Sequence, residues 1–322
     1  MLSFWKDLSK PFFILAPMAD VTDFAFREII TKYGKPDVLW TEFVSADGLA
    51  HPKAREKLLI DFKFSKKEHP IVAQIFGANP DTIKKAAVLV RELGFDGLDI
   101  NMGCPDKTIE KQGAGAALMK NPKLAQEIIY AAKEGAGDLP VSVKTRIGYN
   151  KDEMETWIPA LLETGLAALT VHARTRKEMS KVPARWERVA HAVELAKGSG
   201  TLIIGNGDVL DIADARAKAR ATGADGVMLG RAIFGNPWLF VKKKKEITVE
   251  EKLRVMIEHT KLFEKELGAH KNFAIMKKHY KAYVHGFDGA KELRIKLMEA
   301  KDAKEVARIV NACLTDEIKK IT

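Results

Sequence analysis

DTIKKAAVLVRELGFDGLDINMGCP, residues 81–105, holds one complete structural period of the chain. Its first part, DTIKKAAVLVRELG (81–94), spaces apolar residues as a helix does and stops at a glycine. Its second part, GLDIN (97–101), is a β-type run that gives way to Met102-Gly103-Cys104-Pro105. The joint between them, LGFDGLDI (93–100), returns as TGADGVML (222–229): a helix-ending glycine, an aspartate, a glycine, then a strand.

On both sides of this period the same alternation covers most of the sequence. β-type runs fall at FFILAP (12–17), VLWTEFV (38–44), IVAQIFG (71–77), VSVKTRIG (141–148), ALTVHAR (168–174), TLIIGNG (201–207) and GVMLG (226–230). Most are continuous apolar runs, as strands of a parallel sheet covered on both faces read. Helical patterns fill the gaps, among them PKLAQEIIYAAKEG (122–135) and DIADARAKARATG (211–223), the latter with Asp211 as N-cap and Gly223 as terminator. Eight strand–helix units in about 240 residues predict a (β/α)₈ TIM barrel, an α/β fold. A doubly wound sheet is the alternative, but no G-x-G-x-x-G follows the first strand.

After Phe240 the pattern changes. KKKK (242–245) makes a charged connector, and the residues beyond it have helical period without strands, so we expect a barrel over 1–241 and a small α-helical domain over 242–322. The net charge of +10 is uneven: residues 242–322 carry 20 Lys and Arg against 13 Asp and Glu. A surplus of this kind suits a polyanionic partner, although a solvated lysine-rich helical face reads the same way. Two cysteines, Cys104 and Cys313, make no disulfide framework and fit a reducing, cytoplasmic setting. No apolar run is long enough to cross a bilayer, so no membrane association is expected. Lys6, Lys10 and PFFILAPMA imitate a short signal peptide, but Pro17 and the brevity of the run favour a buried first strand. Nothing in the sequence singles out an obligate protein partner.

Barrel enzymes work at the C-terminal ends of their strands. There the sequence places Ala16-Pro17-Met18-Ala19, Gln74, Asn101 to Cys104, Lys144 and Arg146, His172, Arg174 and Arg176, Gly205-Asn206-Gly207-Asp208, and Gly230-Arg231. Glycine turns after strands seven and eight are where barrels bind phosphate: bare backbone N–H groups approach the anion, and Arg231 adds a guanidinium fork. There is no acidic metal cluster, H-E-x-x-H or cysteine pair, and no G-x-S-x-G elbow, so neither a metal site nor a serine hydrolase is expected. Lys144 either forms a Schiff base or stays cationic against a bound ring; a salt bridge inside the barrel is the structural reading. His172 reads equally as a hydrogen-bonded core histidine, and Cys104 as a small buried hydrophobe.

Taken in order, ILAPMADVTDFAFR (14–27), VAQIFG (72–77), DINMGCPDKTIEKQGAGAALM (99–119), VSVKTRIGY (141–149), LTVHARTR (169–176), IIGNGDV (203–209), GVMLGRAIFGNPWLF (226–240) and FAIMKKHYKAYVHGFDGAKELR (273–294) resemble the tRNA-dihydrouridine synthase family. The resemblance implies an FMN enzyme that reduces the 5,6 double bond of uridine in tRNA with NADPH or NADH. It implies that Pro17, Met18 and Ala19 line the flavin, that Gln74, Lys144 and His172 lie at its ring, and that Asn206, Gly207, Asp208, Gly230 and Arg231 hold its phosphate. Cys104 would be the proton donor, with Asn101, Arg146, Arg174 and Arg176 on the substrate side. The basic tail would then meet the tRNA backbone, with Tyr280, Tyr283 and His285 available for stacking or packing, and the 107–115 loop would form a flap over the base. KEMSKVPARW (177–186) departs from the family pattern in lacking its glycine and small residues. The rival readings are an FMN barrel acting on free pyrimidines, similar to dihydroorotate dehydrogenase, and a flavin-free RNA-binding or aldolase-type barrel.

Overall fold

The computed structural model describes residues 4–241 and 246–321, with side chains through Thr315, so the KKKK connector lies outside the described residues. The chain runs β1 (Phe12–Leu15), α1 (Phe24–Gly34), β2 (Leu39–Ser45), α2 (Ala46–Ala50), α3 (Pro52–Leu58), β3 (Ile71–Phe76), α4 (Pro80–Glu92) and β4 (Gly97–Met102). It continues through α5 (Lys107–Lys111), α6 (Pro122–Ala136), β5 (Val141–Arg146), α7 (Met154–Leu162), β6 (Ala168–His172), α8 (Trp186–Leu195), β7 (Leu202–Asn206), α9 (Ile212–Thr222) and β8 (Gly226–Leu229). All eight strands are parallel, in the order β1-β8-β7-β6-β5-β4-β3-β2, and a parallel bridge between Ile14 and Val38 brings the two ends together. This is the TIM-barrel arrangement that the alternation predicts.

The repeated aspartate has a definite task. Asp96, just before β4, donates its N–H to Ile71 O and accepts the Ile71 N–H on its carboxylate at 2.6 Å. Asp225, just before β8, does the same to Ile203, at 2.9 and 2.8 Å. Asp37 does it to Phe13 ahead of β2. Each aspartate staples the start of its own strand to the start of the preceding one, satisfying donors that the sheet would leave unpaired. The helix signals hold as well: Asp211 caps α9 by accepting from the Asp214 N–H, and Gly223 ends it in the left-handed conformation.

Apolar side chains form separate cores on the two faces of the sheet. Leu98, Ile100 and Met102 of β4, with Val141 and Val143 of β5, face the surrounding helices. The interior is packed near its N-terminal end by Trp5, Phe12, Ile14, Trp40, Val72, Ile204 and Met228. Strands β4 and β5 depart from the continuous apolar pattern: Asp99, Asn101, Ser142 and Lys144 alternate with the apolar residues, and Asp99 and Ser142 bond each other across the two strands.

The tail forms α10 (Val249–Leu267), α11 (Met276–Tyr283), α12 (Ala290–Glu299) and α13 (Ala303–Ile321). These helices share a core with the outer face of α1, where Phe24, Ala25 and Ile29 join Met256, Phe263, Tyr280 and Tyr283. Tyr280 and Tyr283 are therefore packing residues, fully buried with Met276 and His279 on one stripe of α11, and are not presented for base stacking. His285, by contrast, is exposed. Ion pairs reinforce the junction: Lys271 bridges Glu42 and Asp61 at 2.7 Å each, Lys63 meets Glu266 at 2.6 Å, and Lys32 meets Glu258 at 2.6 Å. Burial opposes the charge on Lys271, but Glu42 and Asp61 outweigh it and hold the ammonium above the ordinary lysine range.

Below this junction Arg27 of α1 pairs with Glu68 at 2.6 Å, both side chains fully buried, and donates to the Thr22 carbonyl. Burial pushes the Glu68 carboxyl up despite the guanidinium. Arg27→Met strands that carboxylate, so urea unfolding at pH 7 should show a loss of about 3–5 kcal/mol. The loss should shrink as the pH falls, because the penalty attaches to the ionised form and Glu68 can shed it by taking a proton. An equal loss at both ends of the titration would mean that packing, not charge, is what Arg27 supplies.

Candidate functional site

A cavity of about 630 Å³ opens at the C-terminal ends of the strands. Of the residues expected at a cofactor, it is lined by Pro17, Met18, Lys144, His172, Asn206, Gly207, Asp208, Gly230 and Arg231. Ala19 lies outside it in an exposed turn, and Gln74 lies outside it too, fully buried. Arg174, expected on the substrate side, lines the cavity instead. Ala16, Ser180, Val209, Leu210, Met228 and Ala232 complete the wall; Ala16, Val209, Met228 and Ala232 fall inside the quoted motifs without an assigned contact, Ser180 lies in the segment that departs from the family pattern, and Leu210 lies outside them all.

One end of the cavity is cationic and glycine-lined. Gly230 sits 3.7 Å from the Ala16 Cβ and 3.8 Å from the Met18 Sδ, measured from where its own Cβ would be, so its bare backbone leaves room there. Gly207 has φ +125°, and a side chain on it would meet the Ala184 Cβ at 2.8 Å; only glycine suits that turn. Asp208 is the brace of this end. Its carboxylate takes the Arg231 guanidinium at 2.6 Å, the Arg174 guanidinium and the Ala184 N–H at 2.9 Å. Burial works against its ionisation, but the Ala184 N–H and Arg174 outweigh it and hold the carboxyl below its ordinary value. Arg231 is two-thirds exposed, which leaves it accessible to an anion while Asp208 fixes it.

The wall of the cavity carries Lys144 and His172. Lys144 Nζ donates to Asn206 Oδ1 at 3.3 Å, and burial, with Arg146 nearby, pushes it down to about 8. It is still cationic at neutral pH. His172 is held well below its ordinary value by burial and then by Arg146, Lys144 and Arg174, so it is neutral. Its Nε2 stands 3.2 Å from the Arg174 Nη1. A guanidinium only donates, so that nitrogen accepts and the imidazole proton is on Nδ1.

Cys104 lies beyond the cavity wall on the loop after β4, against Phe76, Ile109 and Ala114. Burial pushes its thiol up, which keeps it protonated at neutral pH. Asn101 Oδ1 accepts the Gly103 N–H at 3.1 Å and the Cys104 N–H at 2.9 Å, and Asn101 Nδ2 donates to Gln74 Oε1 at 3.1 Å. The register places Asn101 beside Lys144 on the neighbouring strand. Gly115 passes so close that a Cβ there would meet the Cys104 carbonyl oxygen at 2.8 Å.

The remaining arginines are engaged with the protein. Arg146 Nε donates to Gly103 O at 2.9 Å, and its Nη1 donates to Thr175 O at 3.1 Å and Met179 O at 2.9 Å. Arg174 Nε donates to Val182 O at 2.6 Å. The 177–186 segment is thus tied to the site by both guanidiniums and by Asp208. Arg176 grips Glu110 of α5 through two donors, Nε at 2.6 Å. The 107–115 stretch expected as a loop begins as helix α5, capped by Asp106 and tethered through that ion pair.

A family model described as dihydrouridine synthase matches residues 14–319. A Staphylococcus aureus (strain Mu50) protein named probable tRNA-dihydrouridine synthase is 41% identical over 313 residues, covering 96% of this chain and 95% of its own length. A Bacillus subtilis (strain 168) protein named probable tRNA-dihydrouridine synthase 2 is 41% identical over 315 residues, 96% of each chain. Among solved structures, a variant of NCR from Zymomonas mobilis superposes with TM-score 0.51 at 16% identity, over 74% of this chain and 90% of that one. Morphinone reductase in complex with tetrahydroNAD gives TM-score 0.50 at 16% identity, over 72% and 86%. At such identity the likeness is one of fold. Among the described residues, no helix is long and apolar enough to cross a membrane.

Proposed function

The chain belongs to the dihydrouridine synthase family, and on that premise we propose that it reduces the 5,6 double bond of uridines in tRNA, using FMN and NADPH or NADH. The observation that carries the reading is a partly buried thiol, Cys104, on the loop after β4, whose backbone N–H is held by Asn101, itself in register with Lys144 in the wall of a glycine- and arginine-ended cavity. The cavity suits a phosphate-tailed flavin: its volume is within the range of about 300–1,000 Å³ usual for cofactor-sized ligands. When bound, the flavin supplies hydride to one carbon of the uracil double bond.

Gly207 and Gly230 offer backbone to the phosphate and Arg231 its guanidinium, with Asp208 acting as the brace that holds Arg231; Asn206, whose Oδ1 takes Lys144 and whose Nδ2 donates to the Met228 carbonyl at 2.8 Å, orders the end of β7. Pro17 and Met18 would border the flavin ring, and Lys144 and neutral His172 would offer it a positive charge and an Nδ1–H donor. Gln74 is buried behind the wall and bears on the site through Asn101, while Ala19 stands outside the cavity in its exposed turn. Cys104 Sγ gives its proton to the second uracil carbon from the opposite side, and solvent restores it. Asn101 keeps one amide N–H for a uracil oxygen after bonding Gln74. Arg146 and Arg174 shape the 177–186 wall of the cleft, and Arg176 holds α5 beside it. The target base leaves its stack to reach this depth. Residues 242–322, with exposed Lys278, Lys281, Lys291 and Lys296, form the tRNA platform, a role no free pyrimidine would need. A tRNA substrate implies a cytoplasmic reaction.

The deciding assay is NAD(P)H-dependent dihydrouridine formation in unmodified tRNA against dihydroorotate oxidation. Turnover of dihydroorotate without tRNA activity would replace this reading with the free-pyrimidine one. The pH profile offers a further check. The working form of Lys144 is the cation, present below its value of about 8, so single-turnover uridine reduction should fall as pH rises through that point. Lys144→Arg does not titrate there and should move the alkaline limb upward toward the thiol's. An unmoved limb would remove Lys144 from the step.

A further inference from the structure

Asp99 is fully buried in the middle of β4, and no part of the proposed reaction uses it. Its two carboxylate oxygens have different partners: Oδ1 accepts from Ser142 Oγ at 2.6 Å, and Oδ2 accepts from Gln74 Nε2 at 2.7 Å. From there the bonds run on without a break. Gln74 Oε1 accepts from Asn101 Nδ2 at 3.1 Å, and Asn101 Oδ1 accepts the Gly103 and Cys104 N–H groups at 3.1 and 2.9 Å.

We propose that Asp99 is a positioning residue that orders the Cys104 loop by fixing which way the Gln74 and Asn101 amides face. A carboxylate only accepts, so the Gln74 atom beside it must be the NH₂ group. That turns Gln74 Oε1 toward Asn101, which must answer with its own NH₂. Asn101 Oδ1 is then left for the cysteine loop, where two backbone N–H groups can only donate. Both ends of the chain impose the same sense, and neither amide can flip without setting donor against donor. In this orientation Asn101 retains one uncommitted N–H, the kind of donor a uracil carbonyl accepts. The link to uracil rests on the proposed reaction; the ordering of Cys104 does not. Burial lifts Asp99 to about 6 despite the donors from Ser142 and Gln74, so the carboxylate is the dominant form at neutral pH.

Asp99→Asn and Asp99→Leu separate orientation from charge. Asparagine can accept from Gln74 through Oδ1 and donate to Ser142 Oγ through Nδ2, which preserves the sense of the chain without the charge. Leucine fills similar space and leaves Gln74 free to rotate. The first measurement is iodoacetamide alkylation of Cys104 at pH 8 without RNA, with Cys313→Ser in every protein so that one thiol is read. Asp99→Leu should speed alkylation several-fold, as the loop loosens and the thiol loses the burial that suppresses its ionisation. Asp99→Asn should restore protection. The second measurement is single-turnover uridine reduction, which should fall about 100-fold in Asp99→Leu, the order expected when a reacting group is misplaced by an ångström, while flavin content is unchanged. Wild-type alkylation in Asp99→Leu, or an Asp99→Asn protein as reactive as Asp99→Leu, would overturn the proposal. If Asp99→Leu does not fold, Gln74→Leu cuts the chain one link nearer Cys104 and must give the same loss of protection. Faster alkylation with undiminished uridine reduction would uphold the ordering of Cys104 and count against its role as the acid.

Discussion

Cys104→Ala is expected to remove about 10²–10⁴-fold of the rate of dihydrouridine formation, the usual share of a positioned general acid, while leaving the protein yellow and its flavin reducible by NAD(P)H. The split follows from where the residue sits. Cys104 is not part of the cavity wall; it stands on the β4 loop, and the cavity's cationic end is assembled from β7, β8 and the 177–186 segment. Removing the sulfur leaves the Asn101 bonds to the loop's backbone intact, since they use main-chain N–H groups. The small gap left against Phe76 and Ile109 costs stability, not cofactor. Cys104→Ser is the sharper variant. A hydroxyl is similar in size and a poorer acid, so its rate should resemble that of alanine, and a serine protein near wild type would make the residue a spacer. Stopped-flow absorbance separates the half-reactions: flavin reduction should proceed as in wild type, and reoxidation by unmodified tRNA should stall.

The features legible in the sequence are those carried by a few adjacent residues. Helix-ending glycines, helix-capping aspartates and the residues just past each strand keep their meaning whatever the rest of the chain does. For that reason the cap at Asp211 and strand-end cavity residues such as Pro17, Gly207 and Arg231 can be read without the fold, whereas Asp96 and Asp225 show only as a repeat until Ile71 and Ile203 pair with them. The hidden features depend on pairings made only when the barrel closes. Asp99 looks like one more residue of an apolar run until Ser142 and Gln74 arrive from the strands on either side. Arg146 and Arg174 sit at strand ends as substrate ligands would. Their donors are taken by the carbonyls of Met179 and Val182, 33 and 8 residues further along the chain, in a segment that folds back over the site. The burial of Tyr280 and Tyr283 does leave a signal. Met276, His279, Tyr280 and Tyr283 recur at helical spacing, and that stripe marks an inward face even where lysines separate its members.

Gly235→Ala is expected to unseat the tail from the barrel. Gly235, just after β8, has φ +69°, and a Cβ on it would stand 1.9 Å from the Ala282 carbonyl oxygen and 2.6 Å from its carbon. The obstacle is the backbone of α11, which cannot swing aside as a side chain would. Close by, the end of α1 meets the same stretch of chain: a Cβ on Gly34 would lie 2.7 Å from the Pro237 carbonyl oxygen, and Tyr33 packs edge-on against Trp238 at 5.4 Å. The substitution therefore combines overpacking with a left-handed conformation that alanine resists, together about 2–4 kcal/mol, directed at the junction of α11 and the barrel. The glycine end of the cavity is five residues earlier at Gly230, and neither Ala282 nor Tyr283, the residues a Cβ on Gly235 would meet, lines the cavity, so that end should survive. We expect a lowered thermal midpoint, retained yellow colour, and tRNA affinity weakened about tenfold or more at low salt. The dependence of affinity on salt should flatten by about 0.9 in logarithmic slope for each phosphate that the tail no longer neutralises. Filter binding across a salt series measures both. A protein that melts earlier but holds tRNA with unchanged affinity and slope would mean that the RNA rests on the barrel rim alone and that the basic charge of residues 242–322 is only a solvated face.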